Sequence, residues 1–399
     1  MNDVMVAGAS MTRFGKFADR SIRDLAEEAV AGALADANQS AHDVDMVFFS
    51  NAVAGLITGQ EMVRGQSALR GTGLLGAPLV NVENACASAS SAFYLAWMAV
   101  ASGQAETAIA VGAEKMTHED KTRAFDALAT AVDLSEIGAL KKRAGISDID
   151  DDRSFFMDLY AMTARSYMQR SGATAEDFAR VTVKNHRHGA ENAKAQFRKE
   201  LTVDEVLASR TIVDPLTLFM CAAIGDGASA VVLTSPERAK KTDRHDIKVL
   251  STILISGEGR EVTSESATVR AARLAYEKAG LGPSEVHVVE LHDAAATAEL
   301  ITYEELGLCQ IGEGPKLLAS GATEIGGRIP VNPSGGLLSK GHPIGATGCG
   351  QLTELVDQLR GRAGSRQVDG ARIALAENGG GYIGSDSAAM SVTILGRVS

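Results

Sequence analysis

Apolar positions in the first third of the chain fall into short runs, separated by longer stretches in which they recur every third or fourth residue. The short runs have the length of buried strands, and the longer stretches have the spacing of amphipathic helices. Regular alternation of the two predicts a layered α/β domain, in which helices cover the faces of a sheet. The predicted strands span residues 3–9, 43–53, 79–83 and 107–113, and the predicted helices span 21–37 and 86–102.

Residues 118–205 break this alternation, because they are rich in charged residues and methionine. They predict an inserted, largely helical region. The alternation returns with a strand at 226–234 and begins a second series there. Both series start with a strand and a helix and place a Gly-rich or chemically reactive segment at a strand-to-helix junction, which indicates an internal duplication. The later strands are predicted at 247–255, 285–293, 371–378 and 388–395, and the later helices at 263–279, 296–307 and 348–360.

Charge and composition narrow the classes of partner. The chain carries 50 acidic and 39 basic residues, for a net charge of -11, which argues against a nucleic-acid partner. A polyanionic substrate such as CoA needs only a local basic patch or helix N-termini. No apolar run has the roughly 18 residues of a membrane helix, and the first residues lack a secretory pattern. We therefore expect a cytoplasmic protein with no membrane association.

The four cysteines lie far apart and lack the spacing of metal ligands or of a disulfide framework. We expect reduced thiols and no metal site. The four are Cys86, Cys221, Cys309 and Cys349.

Cys86 stands out because it follows a predicted strand and opens a helix whose first turns consist of alanine and serine. The positive end of a helix dipole stabilises a thiolate, and small neighbours let a substrate approach closely. This pattern predicts a nucleophilic cysteine. The alternative is a buried cysteine that only packs.

The segment NPSGGLLSKGHPIGATG, at 332–348, is too rich in glycine for an ordinary core. It lacks the Lys-Ser/Thr ending of a phosphate-binding Walker loop. Its His342 is a candidate base for the Cys86 thiol, although a loop histidine can also be purely structural. Because glycines permit close contact with a ligand, we predict that Gly335, Ser339 and Gly341 contact CoA.

Two further segments carry candidate chemistry. In VVELHDAAATAEL, strand alternation places Glu290 and His292 on one face, and Asp293 is placed to cap the following helix. In LAENGGGYIG, a strand breaks into three glycines, which either direct backbone N–H groups at an oxyanion or form a plain hairpin turn.

These motifs occur in the order found in thiolases, and the sequence resembles the thiolase superfamily from end to end. The matching segments are NACASASSAF, GAEKM, DGASAVVL, the HD pair at 292–293, and NPSGGLLSKGHPIGATG. The HD pair is similar to that of the sterol-carrier-protein-type thiolases, where other thiolases carry Asn-Glu.

The resemblance implies an α/β thiolase fold. Two duplicated β-α-β-α-β-α-β-β halves would form a five-layered αβαβα core, with an inserted loop domain that covers CoA. The N-terminal half would comprise 1–117 and 206–245, the loop domain 118–205, and the C-terminal half 246–399. The resemblance also implies a homodimer or tetramer.

Roles carried over from the family make Cys86 the residue that takes the acyl group and His342 the group that activates it. His342 and His292 would bind the thioester oxygen. The N–H groups of Cys86 and Gly380 would form a second oxyanion hole. CoA would be a substrate, with no permanently bound cofactor.

The sequence departs from the family in one place. Thiolases usually carry a second reactive cysteine, either in a C-x-G motif near the carboxyl end or directly after HD. Here the first position holds Asn378 or Glu377, and the second holds Ala294. Another group must then move the proton, and the candidates are Glu290 first, followed by Glu377 and Tyr382.

Four functions are compatible with these residues. The first is an acyl-CoA C-acyltransferase that forms or cleaves 3-oxoacyl-CoA through an acyl group on Cys86. The others are a decarboxylating ketoacyl-synthase-like enzyme, a retro-aldolase acting on CoA thioesters, and a non-catalytic acyl-CoA or lipid-binding protein. Relatives with HD and no following cysteine often work with a small zinc-ribbon and OB-fold subunit, so we expect such an accessory partner.

Overall fold

A computed structural model of the chain describes residues 2–146, 153–259 and 265–398. The strands in these residues are β1 (Met5–Met11), β2 (Met46–Ser50), β3 (Leu79–Val82), β4 (Thr107–Glu114), β5 (Thr211–Val213), β6 (Leu216–Thr217), β7 (Gly227–Thr234), β8 (Ile247–Ser256), β9 (Val288–Glu290), β10 (Ile373–Gly380) and β11 (Ala389–Arg397). The helices are α1 (Ile22–Asp36), α2 (Ala54–Ile57), α3 (Arg64–Ala68), α4 (Ser88–Ala101), α5 (Thr122–Ala129), α6 (Ile137–Ala144), α7 (Phe155–Ser171), α8 (Ala175–Ala190), α9 (Val203–Leu207), α10 (Pro236–Lys241), α11 (Ala267–Ala279), α12 (Ala296–Glu305), α13 (Gly314–Ala319), α14 (Gly336–Ser339) and α15 (Thr347–Leu359).

The strand pairing reveals the duplication that the element order indicated. In the first half, β2 runs parallel to β4, β4 is antiparallel to β7, and β7 is antiparallel to β1. In the second half, β9, β10, β11 and β8 repeat the same order and the same directions. A bridge between Met5 and Lys248 joins β1 to β8, so the two halves form one nine-stranded sheet.

Helices separate and cover the two halves. The apolar helix α4 packs on β2 and β4, and α15 packs on β1 and β7 as well as on β9 and β10. Both helices are therefore sandwiched between the halves, while α1 covers the outer face of the first half and α11 that of the second. This arrangement confirms the expected α/β fold with five layers.

The inserted region is helical, as its composition predicts. Helices α5 to α9 lie between β4 and the short hairpin of β5 and β6. The sheet resumes only at Gly227, so residues 206–226 also lie outside it. Residues 147–152 of this region, and residues 263 and 264 of the helix predicted at 263–279, lie outside the described residues.

The loop that contains His342 reaches the first half of the sheet because Gly112, in β4, has no side chain. A Cβ atom at Gly112 would lie 2.3 Å from the carbonyl oxygen of Gly345. Within the described residues, no helix is both long and apolar enough to cross a membrane.

Candidate active site

Cys86 lies on a single 3₁₀ turn, Ala85–Ala87, between β3 and α4. Ser88 closes this turn, because its Oγ donates to the Ala85 carbonyl at 2.6 Å and accepts from the Asn84 N–H at 2.9 Å. Ala85 has a φ of 48°, in the left-handed region that residues other than glycine rarely adopt. Backbone held in such a conformation by its surroundings is common at functional sites, and the turn leaves Cys86 at the wall of a large cavity.

The pKa of the Cys86 thiol is raised to about 12, mainly by burial and further by the charges of Glu114 and Glu83. The N–H groups of Cys86 itself and of Gly381 act in the opposite direction but do not offset burial. The expectation of a thiolate stabilised by a helix dipole is therefore wrong for the free protein. The thiol keeps its proton at neutral pH and needs a base.

The structure brings the three predicted reactive side chains together. One ligand-type atom from each of Cys86, His292 and His342 lies within 4.8 Å of the other two. The Nε2 atoms of the two histidines are 3.3 Å apart. A metal ion could use the same three atoms, so the expected absence of a metal stays a prediction.

Hydrogen bonds assign the tautomer of His342. Its Nδ1 is 2.7 Å from the Thr347 hydroxyl, which in turn is 3.2 Å from the Pro343 carbonyl. Because a carbonyl only accepts, Thr347 donates to Pro343 and accepts from the His342 Nδ1–H. His342 Nε2 is then the unprotonated nitrogen, and His292 donates to it through its own Nε2–H.

Both histidines are neutral at pH 7. Burial lowers the pKa of His292 to about 4. Burial also lowers the pKa of His342 well below 6.5, and the charges of His292 and Lys340 act in the same direction. A neutral imidazole beside a protonated thiol is the pairing that general-base activation requires.

A pH profile follows from these shifts. A lowered pKa keeps the base form of His342 present at more acidic pH, so the rate of Cys86 acylation should stay level through pH 6.5 and fall only well below it. The measurement is rapid-quench acylation followed by intact mass. An acid limb with its inflection at or above pH 6.5 contradicts the assignment of His342 as the base.

Gly380, predicted to donate an oxyanion-hole N–H, lies against the turn that carries Cys86. It ends β10 and pairs with Ala389, and a Cβ atom there would lie 2.5 Å from the Ala87 nitrogen. The N–H that acts on the sulfur belongs to Gly381. Gly381 is therefore a further candidate oxyanion donor beside Cys86, and the role of Gly380 stays a prediction.

Asn378 and Glu377 hold the backbone of Cys86 and of His292 in place. The Asn378 Nδ2 donates to the Cys86 carbonyl at 3.1 Å and to Ser90 Oγ at 3.0 Å, so it positions the turn and does not contact the sulfur. The Glu377 carboxylate accepts the His292 backbone N–H at 2.9 Å. Burial raises the pKa of Glu377 to about 7, and the His292 N–H lowers it in part.

Glu290, the first candidate for the missing proton carrier, does not perform that role. It lies in a fully buried ion pair with Lys340 at 2.9 Å, and Ser334 donates to it through Oγ at 2.7 Å and through its N–H at 3.0 Å. The strand argument failed because β9 ends at Glu290. His292 is already in the following loop, where alternation no longer applies.

Breaking this buried pair should destabilise the fold. Lys340→Met leaves the Glu290 carboxylate buried without its cation, and we expect the free energy of unfolding to fall by about 3–5 kcal/mol in urea denaturation. A matched control is Lys199→Met, because Lys199 pairs with Glu205 at an exposed site where a pair contributes about 0–1 kcal/mol. Equal losses in both variants would contradict a structural role for the buried pair.

The three residues predicted to contact CoA instead attach their loop to the inserted region. Gly335 has a φ of 100°, and a Cβ atom there would lie 2.7 Å from the Gly189 Cα. The Ser339 hydroxyl donates to the Phe197 carbonyl at 2.9 Å. Gly341 has a φ of 104° and packs on a side chain of the same region. None of the three lines the described cavity.

Asp293 also acts differently from the prediction, because it does not cap α12. Its carboxylate accepts the N–H groups of Leu337 at 2.7 Å and Leu338 at 3.4 Å. The N-cap residue of α12 is Ala295, which has no capping side chain. Asp293 therefore holds the glycine-rich loop against the segment that carries His292.

A cavity of about 930 Å³ opens above Cys86 and His342. Much of its lining comes from the inserted region and the segment after it, where the sequence shows no motif. The residues that sequence reasoning missed include Phe125, Phe156, Met157, Tyr160 and Leu218, together with Cys221. Cys221 reaches this wall because β-type pairing with Ala295 and an Ala222 N–H···Ala294 bond of 3.0 Å hold its segment there.

Comparison with known families decides the family of the chain. Residues 4–237 match the family described as thiolase, N-terminal domain, and residues 253–397 match the thiolase C-terminal domain-like family. The chain belongs to the thiolase family. The turn that carries Cys86 and the loop that carries His342 therefore lie on the two halves of a thiolase fold.

Similar proteins support the assignment to the thiolase family. The chain is 41% identical over 390 residues to an acetyl-CoA acetyltransferase of Methanothermobacter thermautotrophicus, covering 96% of this chain and 98% of the relative. It is 38% identical to sterol carrier protein 2 of Bos taurus, and the match covers 94% of this chain and 70% of that relative. A solved structure of an Ltp2-ChsH2(DUF35) aldolase matches with a TM-score of 0.80 at 30% identity, and the match covers 99% of this chain and 98% of that chain. This thiolase is an enzyme of the acyltransferase class.

Proposed function

We propose that this thiolase forms or cleaves 3-oxoacyl-CoA by transferring the acyl group through a thioester on Cys86. The observation that carries the proposal is the cluster of Cys86, His292 and His342, whose reactive atoms lie within 4.8 Å of one another at the cavity wall. A lipid-binding protein would have no use for a nucleophile paired with a neutral base.

In the cleavage direction, the Cys86 thiol gives its proton to His342 Nε2 as the sulfur attacks the 3-oxo carbon. The C2–C3 bond then breaks, which leaves the acyl group on Cys86, and C2 of the departing acyl-CoA takes a proton from a second acid. The His292 Nε2–H and the N–H groups of Cys86 and Gly381 are the donors available to negative oxygen atoms. Free CoA then attacks the acyl group, and His342 returns the proton to the Cys86 sulfur. Asn378 supports these steps by fixing the Cys86 carbonyl.

Binding of CoA is supported by cations at the cavity rim. Lys16, Lys121 and Arg210 line the cavity, are exposed, and have no carboxylate partner among the described residues. Three such cations suit a pyrophosphate and a 3′-phosphate.

A test of this function uses the requirement for free CoA. A thiolase should turn over a 3-oxoacyl-CoA repeatedly only when CoA is added, releasing two acyl-CoA products, and without CoA it should stop after one acyl transfer to Cys86. A retro-aldolase would release an aldehyde or ketone from a 3-hydroxyacyl thioester without CoA. A synthase would release CO₂ from a malonyl thioester. Repeated turnover that is independent of CoA, or loss of CO₂, would overturn the acyltransferase assignment.

Two protein partners are part of the proposal. Strand β3 lies at the edge of the described sheet, and its Val80 is 42% exposed, so β3 is available to pair with a second copy. The similar aldolase structure contains a DUF35 component, which supports an accessory subunit of the expected zinc-ribbon and OB-fold kind. Light scattering should give the mass of at least two chains, and purification from the native host should recover a small second subunit.

A further inference from the structure

Tyr160 is a titratable side chain of the cavity to which the steps above assign no role. It lies on α7, is half-buried, and lines the same cavity as Cys86 and His342. Its hydroxyl has no hydrogen-bond partner among the described residues. Tyr167, two turns later on the same helix, is satisfied, because its hydroxyl donates to Glu304 at 2.5 Å.

The chemistry requires a proton carrier besides His342. Cleavage of the C2–C3 bond leaves a carbanion at C2 of the departing acyl-CoA, and that carbon must receive a proton. At that moment His342 holds the proton from Cys86, which is needed again when the acyl group leaves the sulfur. Glu290 is unavailable because Lys340 and Ser334 occupy its carboxylate.

Two other titratable groups of the cavity lining, His186 and Cys221, are less suited to this step. His186 is held by the Lys199 carbonyl at 3.0 Å, and the Cys221 thiol donates to the Thr217 carbonyl at 3.5 Å. Glu377 accepts the His292 N–H and is not part of the cavity lining.

The surroundings of Tyr160 keep its proton in place until the reaction needs it. Burial raises the pKa of the phenol, and the charges of Cys86, Glu377, Asp293 and Cys221 raise it further. Tyr160, Cys86 and Cys221 line the same cavity. A phenol in such surroundings is a proton donor in the resting enzyme, and its phenolate readily recaptures a proton.

We propose that Tyr160 is the catalytic acid and base that exchanges a proton with C2 of the departing acyl-CoA and with the sulfur of the incoming CoA. This role rests on the acyltransferase function proposed above. As the C2–C3 bond breaks, the Tyr160 O–H protonates C2 and becomes a phenolate. The CoA thiol then gives its proton to that phenolate, the CoA sulfur bonds to the acyl carbon, and the released Cys86 sulfur takes back the proton from His342.

The test separates bond cleavage from simple acylation of Cys86. Tyr160→Phe keeps the ring and removes the hydroxyl. An S-aryl thioacetate acylates Cys86 with release of an aryl thiolate that needs no protonation, so Tyr160→Phe should acylate within about threefold of the wild type. Single-turnover cleavage of the 3-oxoacyl-CoA that the wild type cleaves fastest should fall by about 10²–10³-fold. Tyr167→Phe is the matched control on the same helix, and it should retain both rates.

Each outcome bears on a different claim. A cleavage rate of Tyr160→Phe within threefold of the wild type overturns the role of Tyr160. An equal fall in the acylation rate and the cleavage rate also overturns it, because the hydroxyl would then only maintain the environment of Cys86. If Tyr160→Phe cleaves at the wild-type rate and Cys221→Ala has lost cleavage, the step belongs to Cys221. Failure of the wild type to form any acyl-enzyme defeats the proposed function itself.

Discussion

Replacing Cys86 by alanine should lower thiolytic cleavage by at least about 10⁴-fold. Among the described residues, no other thiol belongs to the cluster that contains the two histidines, so no other thiol there can carry the covalent intermediate. Binding of acyl-CoA should persist, because alanine leaves the cavity open. Initial rates of acyl-CoA formation and equilibrium binding of an unreactive acyl-CoA analogue measure the two effects separately.

The matched control is Cys309→Ala, a half-buried cysteine outside the described cavity. It should retain the wild-type rate. A Cys86→Ala enzyme that still breaks a carbon–carbon bond without CoA would contradict the acyl-transfer route and support the retro-aldolase alternative.

Replacing His342 by alanine should lower acylation of Cys86 by about 10³-fold. With a thiol pKa of about 12, the fraction of thiolate at pH 7 is on the order of 10⁻⁵ without a base. The residual rate should therefore rise about tenfold for each pH unit, whereas the wild-type rate should not. Rapid-quench acylation at several pH values measures both the loss and the new slope.

An exposed histidine provides the comparison for this prediction. His245→Ala should leave acylation unchanged, because that side chain is 56% exposed and pairs only weakly with Asp243 at 4.0 Å. If His292→Ala abolishes acylation while His342→Ala leaves it intact, the roles assigned to the two histidines are reversed.

The sequence was sufficient for most of the fold because each half repeats the same local pattern. Short apolar runs identified β4, β7 and β8 close to their observed bounds, and the charged region correctly predicted the helices from α5 to α9. The pairing of β1 with β8 could not be read locally, because it joins residues more than 240 positions apart. Only the folded chain shows that the two halves share one sheet.

The site was predictable where a motif carries the chemistry and unpredictable where burial decides it. Cys86 and His342 stand in distinctive segments, and the structure brings them together with His292. The thiol pKa was misjudged because burial raises it more than the N–H groups of Cys86 and Gly381 lower it. Glu290 was wrongly predicted to share a strand face with His292, because its strand ends before His292. Tyr160 was not predicted, because it belongs to an inserted helix without a motif.

The glycine-rich loop illustrates a further limit of sequence reasoning. Its glycines suggested contact with a ligand, and their actual neighbours are backbone and side-chain atoms of the inserted region. Both uses require the same absence of a Cβ atom, so composition alone does not distinguish them. The packing partner, which is distant in sequence, decides between them.

Intact mass spectrometry after incubation with a panel of acyl-CoA and 3-oxoacyl-CoA thioesters tests the central claim most directly. We expect the protein mass to increase by that of one acyl group, the modified peptide to contain Cys86, and Cys86→Ala to show no increase. Added CoA should remove the adduct. Turnover of a 3-oxoacyl-CoA without an adduct on Cys86, or with the acyl group on another residue, would contradict the account.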